Sequence, residues 1–200
     1  MGRLIISPRA AGLVCVLFLV TPCVAEETSD EAVRSFVERV NEASVTLLAD
    51  GPGAPAREKT RALLGWAFDV PGMAEYALDD AWEKANDAER KELLAAFEED
   101  IISGYLRRMS APGTTLTFLG NRSPVDGYQF AASRREVPGK EDQTWIWRMR
   151  PEDDSYRIVD LLLDGLSAAN SALNEYGNVF DNNDGDIKAV IAFMRSRAAK

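Results

Sequence analysis

The sequence predicts an α+β protein in which a four-stranded antiparallel sheet packs against several α-helices. The first observation is a change of period. Apolar residues recur every three or four positions up to about residue 109, every second position from 115 to 164, and every three or four again from 168. The second is the spacing of turn residues. They divide the alternating region into four runs with short connections, which pair as an antiparallel meander. Helices grouped before and after the strands, rather than interleaved with them, give the α+β class.

Each element follows from its residues. Ser29 or Asp30 caps a first helix to about Ala49, with Val33, Phe36, Val37, Val40, Leu47 and Leu48 on one broad face. Asp50-Gly-Pro-Gly-Ala-Pro55 stops it. A second helix runs from about Ala56 to Ala67. Phe68-Asp69-Val70-Pro71 is a break, and Pro71 suits the first turn of a short third helix through Ala77. Asn86 and Glu89 have capping-box spacing at the head of the longest helix. Leu93, Leu94, Phe97, Ile101, Tyr105 and Met109 repeat along it until Pro112-Gly113. The strands centre on Leu116 and Phe118, on Tyr128 to Ser133, on Trp145 to Arg150, and on Tyr156 to Asp164, with turns at 120–127, 138–142 and 151–154. Ser167 caps a helix from Ala168 to about Val179, and Asp184 or Asp186 starts the last one through Ile187, Val190, Ile191 and Met194.

The first 25 residues have the form of an export signal. Arg3 and Arg9 supply the charged start, and Ala10 to Val20 is an uncharged apolar run. Thr21-Pro22 breaks that run, and Cys23-Val24-Ala25 is a small-x-small cleavage site. The run is shorter than the roughly 20 apolar residues that a membrane span needs. Residues 26–200 are expected to form one domain. Cleavage removes both cysteines, Cys15 and Cys23, and the chain has no histidine. An exported chain of this size without disulfides fits a bacterial periplasm. Loss of Arg3 and Arg9 takes the formal charge from −9 to −11. Phosphate backbones repel so acidic a chain, so no nucleic-acid partner is expected, and a monomer is.

The missing residue types narrow the chemistry. Without His or Cys in the mature chain there is no Ser-His-Asp triad, no Cys-His pair and no usual zinc or copper site. Asp181-Asn-Asn-Asp-Gly-Asp186 resembles a calcium loop, but Asp186 stands where that loop needs glycine and Ala192 where it needs glutamate, which leaves a helix-to-helix turn. No metal and no cofactor is expected. Asp160 sits within an apolar strand. Alternation groups it with Tyr156, Ile158 and Leu162, opposite Val159, Leu161 and Leu163. Its plain role is to accept hydrogen bonds from a neighbouring loop. The alternative is a small apolar-pocket enzyme using Asp160 and Tyr156.

The candidate binding residues are apolar. On the long helix they are Phe97, Ile101 and Tyr105. On the first two strands they are Phe118 and Phe130, and on the third Trp145, Trp147 and Met149. On the fourth they are Val159, Leu161 and Leu163. Stacked, the strand residues make a wide apolar sheet face opposite amphipathic helices. A filled core and a ligand cavity require the same residues, and pattern does not separate them.

The segment Tyr156-Arg-Ile-Val-Asp-Leu-Leu-Leu-Asp-Gly-Leu-Ser167 resembles the aromatic-x-x-x-Asp-x-x-x-x-Gly-Val-Ser signature of the MlaC family, also called the toluene-tolerance family. Asn174-Glu175-Tyr176, and Gly185 with Val190 and Ile191, continue the likeness. Upstream, Phe68-Asp69-Val70, Ala81-Trp82-Glu83-Lys84-Ala85 with Glu89-Arg90, and Phe97 with Tyr105 extend it. The resemblance covers roughly residues 30 to 198. It implies a periplasmic phospholipid carrier that maintains outer-membrane lipid asymmetry. Its implied partners are an inner-membrane ABC transporter complex with an MCE-type subunit and an outer-membrane lipoprotein–porin complex. The acyl chains are expected in a cavity between sheet and helices with the headgroup in water, and phospholipid as the bound ligand. A related branch accompanies hopanoid biosynthesis, so a hopanoid or other lipid is an alternative cargo. Intact-mass measurement of the exported protein should give a chain beginning at Glu26; a mass that retains Met1, or a lipid-modified Cys23, would refute the export signal.

Overall fold

The computed structural model describes residues 24–199, with side chains from Ser29 onward. The export signal read over residues 1–25 therefore lies outside the described residues, apart from the backbone of its last two. The chain order is α1 (Val24–Val45), α2 (Ala54–Ala67), α3 (Val70–Lys84), α4 (Asp87–Met109), β1 (Thr115–Val125), β2 (Tyr128–Glu136), β3 (Gln143–Glu152), β4 (Ser155–Leu163), β5 (Leu166–Ser167), α5 (Ala168–Asp181) and α6 (Ile187–Ala198). The strands form one antiparallel sheet in the order β1-β2-β3-β4-β5. The expected four-strand meander is present and gains a two-residue fifth strand on the β4 edge. No helix among the described residues is long and apolar enough to cross a membrane.

Local chemistry accounts for most of the boundaries. Asn86 Oδ1 accepts from the backbone N–H groups of Ala88 (2.9 Å) and Glu89 (3.1 Å), and Glu89 Oε2 accepts from Asn86 N–H (3.0 Å). This is the expected capping box. Ser167 Oγ caps α5 by accepting from Asn170 N–H, and Asp186 caps α6 by accepting from Lys188 N–H. Four features differ from expectation: α1 begins at Val24, ahead of the Ser29 or Asp30 cap, and the others follow. The first helix ends at Val45 and passes into tighter turns, in which Ala49 N–H donates to the Thr46 carbonyl (3.1 Å) and Gly51 N–H to the Leu48 carbonyl (2.9 Å), ahead of Pro52. The third helix breaks at Asp79, whose φ is 39°, close to its expected end at Ala77, and a further helical segment that was not expected continues the element to Lys84. β1 runs on to Val125 through a bulge at Leu119 and Gly120, so the turn into β2 is only Asp126-Gly127, both with positive φ, as in a type I′ hairpin.

A second bulge corrects the face assignment on β4. Arg148 pairs with Asp160 and Met149 with Ile158, so Val159 is an extra residue. The bulge places Tyr156 and Ile158 on the same face as Leu161 and Leu163, and turns Asp160 to the other. Strict alternation had grouped them the other way, because one inserted residue reverses the alternation beyond it. The Ile158 carbonyl accepts from Asp69 N–H (2.9 Å), and Phe68 lies parallel beside it as an isolated bridge.

Two cores result. The sheet-side core combines Val33, Phe36, Val37 and Val40 of α1 and Leu63 and Leu64 of α2. It also takes in Tyr105 and Met109 of α4 and the face of Trp145, Trp147 and Met149. The helical core joins α3, the first half of α4, α5 and α6 around Leu93, Phe97, Tyr176, Phe180, Val190 and Met194. α4 serves both; its 23 residues span about 34 Å at 1.5 Å per residue. A buried polar knot ties α1 to the sheet: Ser133 Oγ accepts from Asn41 Nδ2 (2.9 Å) and Trp147 Nε1 (2.9 Å). Asn86→Ala removes the cap of the shared helix and should lower unfolding free energy by about 1 kcal/mol, as read from the urea midpoint at unchanged m-value.

Candidate functional site

The candidate site is an apolar cleft at the seam between the two cores. Its cavity volume is about 130 Å³, below the roughly 300–1,000 Å³ of small-molecule pockets, so a lipid chain enters fully only if the walls part. Phe68 and β4 residues Leu161 and Leu163 form one side. Met73 and Ala77 of α3, Phe97, Ile101 and Tyr105 of α4, and Ala168, Ala169 and Ala172 of α5 form the others. The space exists because facing positions are small. Ala77 on α3, Gly104 on α4 and three alanines on the first turns of α5 leave room where larger side chains would meet. One end is polar: Asp100, Tyr176, Arg108 and Arg197 gather there.

The polar end is partly fixed. Asp100 is buried and accepts from Tyr176 OH (2.7 Å) and from Arg197 Nε (3.1 Å). Burial, reinforced by the adjacent Asp100 carboxylate, pushes the Tyr176 hydroxyl well above the ordinary tyrosine range. Burial does the same to Tyr105, whose OH lies 2.7 Å from Ser44 Oγ. Both phenols are therefore neutral hydrogen-bonding groups at physiological pH.

The structure brings five of the candidate binding residues to the cleft: Phe97, Ile101, Tyr105, Leu161 and Leu163. Trp145, Trp147 and Met149 are instead packed solidly in the sheet-side core, at 1% exposure or less. Phe118 packs on the rim of that core, with Arg34 over its ring at 5.9 Å. Phe130 stands opposite Arg148 in the β2–β3 register, on the face away from Trp145 and Trp147, so the wide aromatic face does not include it. Val159, displaced by the bulge, lines a separate pocket with Tyr128, Arg148 and Arg150 on the far side. The small residues and the polar end were not read from the sequence. The run Ser167-Ala-Ala-Asn-Ser-Ala172 was their one legible signal, since an amphipathic helix that fills a core seldom presents only alanine over its first turn.

Asp160 and Tyr156 do not form a site together. Asp160 is 4% exposed. Its Oδ1 accepts from Leu161 N–H (2.8 Å) and Ala169 N–H (2.9 Å), and its Oδ2 from Ser167 Oγ (2.6 Å). Tyr156 lies on the opposite face against Phe36, ring centroids 5.7 Å apart. Among the described residues no group of three or more His, Cys, Asp or Glu side chains is placed to hold a metal ion.

A sequence model of one family, described as "MlaC protein", matches residues 31–196. No curated protein matches at a significant level. Among solved structures, the fold is similar to that of a phospholipid-binding protein from Ralstonia solanacearum, determined in complex with a phospholipid. The TM-score is 0.65 at 16% identity, covering 85% of this chain and 96% of that one. Asp160→Ala leaves two backbone N–H groups and a hydroxyl without their charged acceptor. It should lower stability by ~2–4 kcal/mol in urea denaturation; a change within about 0.5 kcal/mol, the scatter of surface substitutions, would show that it does not hold α5.

Proposed function

This chain belongs to the MlaC family, and from that premise we propose that it is a periplasmic phospholipid carrier whose seam cleft receives the acyl chains. The observation that carries this reading is the cleft itself: apolar along its length, polar at one end, and left open by small residues between two filled cores. A solidly packed interior at the same place would have favoured a purely interacting protein. The phospholipid complex of the Ralstonia solanacearum protein, which shares the fold, supports the same ligand class.

The energetics suit a carrier. Burial contributes roughly 0.8 kcal/mol per methylene. About ten buried methylenes therefore supply on the order of 8 kcal/mol, the scale of a micromolar Kd, before the cost of ordering the chains. The apolar part of the lipid supplies most of the affinity, and α3 and α5, which flank the cleft, are the walls that must yield for loading and release. Transfer in this reading runs between an inner-membrane ABC complex with an MCE-type subunit and an outer-membrane lipoprotein–porin complex, which keeps the outer membrane asymmetric. The export signal at residues 1–25 supplies the route to the periplasm. A catalytic reading has no support in the site, because the carboxylate nominated for it is engaged by three donors.

Protein isolated gently from a periplasm should carry close to one phospholipid per chain, detected by solvent extraction and mass spectrometry. A lipid-free preparation would overturn the reading. Ala172→Phe projects a ring into the cleft from α5, at a half-buried position. It should cut lipid occupancy several-fold while the thermal midpoint stays within a few degrees of the parent; retention at the parent level would place the lipid elsewhere.

A further inference from the structure

We propose that Arg108, with Arg107 beside it, binds the phosphate of the lipid at the polar end of the cleft, so that the carrier selects phospholipids over uncharged lipids with the same acyl chains. This rests on the lipid-carrier reading and adds a headgroup subsite to it. The observation is a gathering of guanidinium groups without their counter-charge. Of the two arginines that line the cleft, Arg197 is paired with Asp100 (3.1 Å) and with Glu175. Among the described residues, Arg108 has no carboxylate within ion-pair distance, and neither do Arg107 and Arg135, which stand next to it. The chain carries 32 acidic against 23 basic side chains, yet the two acids that stand at this end, Asp100 and Glu175, are both engaged by Arg197.

The geometry converges on one point. A Cβ built on Gly104, a cleft-lining residue, would lie 3.3 Å from Arg108 Nη1 and 3.7 Å from Arg107 Nη2. Two guanidinium ends thus reach over the same side-chain-free position at the mouth. Arg108 Nη1 donates to the Gly104 carbonyl (2.9 Å) and Arg107 Nη1 to the Arg197 carbonyl (3.2 Å), which anchors both while leaving further N–H donors on each. Arg135 donates to the Arg108 carbonyl, and its buried Nε has no partner. Arg108 reaches solvent through the mouth, yet protein surrounds most of its guanidinium. Burial first, then the like charges of Arg107, Arg197 and Arg135, push it below its ordinary range, although it stays a cation. A phosphate would relieve that repulsion and match the forked donors of arginine. Complementing the helix dipole explains basic residues in the last turn of α4. It does not explain why they meet over a glycine at the mouth of an apolar cleft.

The test loads the delipidated full chain from vesicles containing equal amounts of dioleoyl phosphatidylglycerol and dioleoylglycerol, and reads the bound ratio by mass spectrometry. The parent protein should prefer the phospholipid by about tenfold or more, the scale of one charge-assisted hydrogen bond. R108Q and, separately, R107Q should lower that preference at least threefold while dioleoylglycerol uptake is unchanged, which also reports an intact cleft. R107Q alters an exposed residue and keeps the test valid if R108Q does not fold. An unaltered ratio in the folded variants overturns the subsite and leaves the carrier reading standing. Failure to take up either lipid overturns both. Inorganic phosphate added to the lipid-free chain should neither saturate at millimolar concentration nor compete with the phospholipid; tight binding of phosphate alone would overturn the lipid headgroup as its source.

Discussion

The buried carboxylate of Asp160 is the contact on which the arrangement of the cleft depends. It lies on β4, and it accepts from the next residue of its own strand, from the cap of α5, and from the first turn of that helix. One side chain therefore fixes where α5 leaves the sheet, and α5 supplies much of one wall of the cleft. The tie works because a charged acceptor with three donors offsets its desolvation, where an unpaired one in the same place would be expelled. The bulge at Val159 is its geometric counterpart. By inserting a residue it turns Asp160 to the other face of the sheet, where the start of α5 meets it, while Tyr156, Ile158, Leu161 and Leu163 stay on the face of Trp145 and Trp147. Strand, cap and helix are set by one irregularity and one charge.

α4 then connects two cores that are each well filled. Its C-terminal half packs with α1, α2 and the tryptophan face of β3. Its N-terminal half packs with α3, α5 and α6. Ion pairs from Arg57 and Arg61 to Glu98 and Glu99 hold α2 to the middle of the helix. At Glu99, burial acts to raise the carboxyl's pKa, but the two arginines outweigh it and hold the group below its usual range. The cleft lies where the cores meet and the side chains are short. Its volume is thus a property of the seam between layers, and the large aromatic residues nearby serve mainly to make the flanking cores rigid.

Elements governed by local chemistry were legible in the sequence. Asn86 with Glu89, Ser167 and Asp186 each mark a helix start through their own hydrogen bonds, and the switch of period marks the sheet. Features set by tertiary pairing were not. Leu119-Gly120 and Val159 look like ordinary strand or turn residues until their partners show them to be bulges. The helical segment that follows the break at Asp79 was missed, and it is held by packing of Ala81 and Ala85 in the helical core. The site was half legible. Large apolar residues announce themselves at helical and strand spacing, so Phe97, Tyr105 and Leu161 could be named. A cavity is made by what is missing, and Ala77, Gly104, Ala168 and Ala172 give only a weak signal. Trp145 and Trp147 attracted attention by size, although size is what fills a core.

The arginine gathering at the end of α4 has a consequence for the molecule as a whole. In a body of net charge −9, the gathering of Arg107, Arg108 and Arg135 beside the cleft is a local patch of opposite sign. Near an anionic surface the net charge repels while such a patch is attracted, a difference that favours approach with the patch foremost. Salt screens both effects within about 10 Å at 0.1 M ionic strength, so orientation is decided in the last Debye length of approach. The arginines that stand without carboxylate partners thus bias which end the molecule presents.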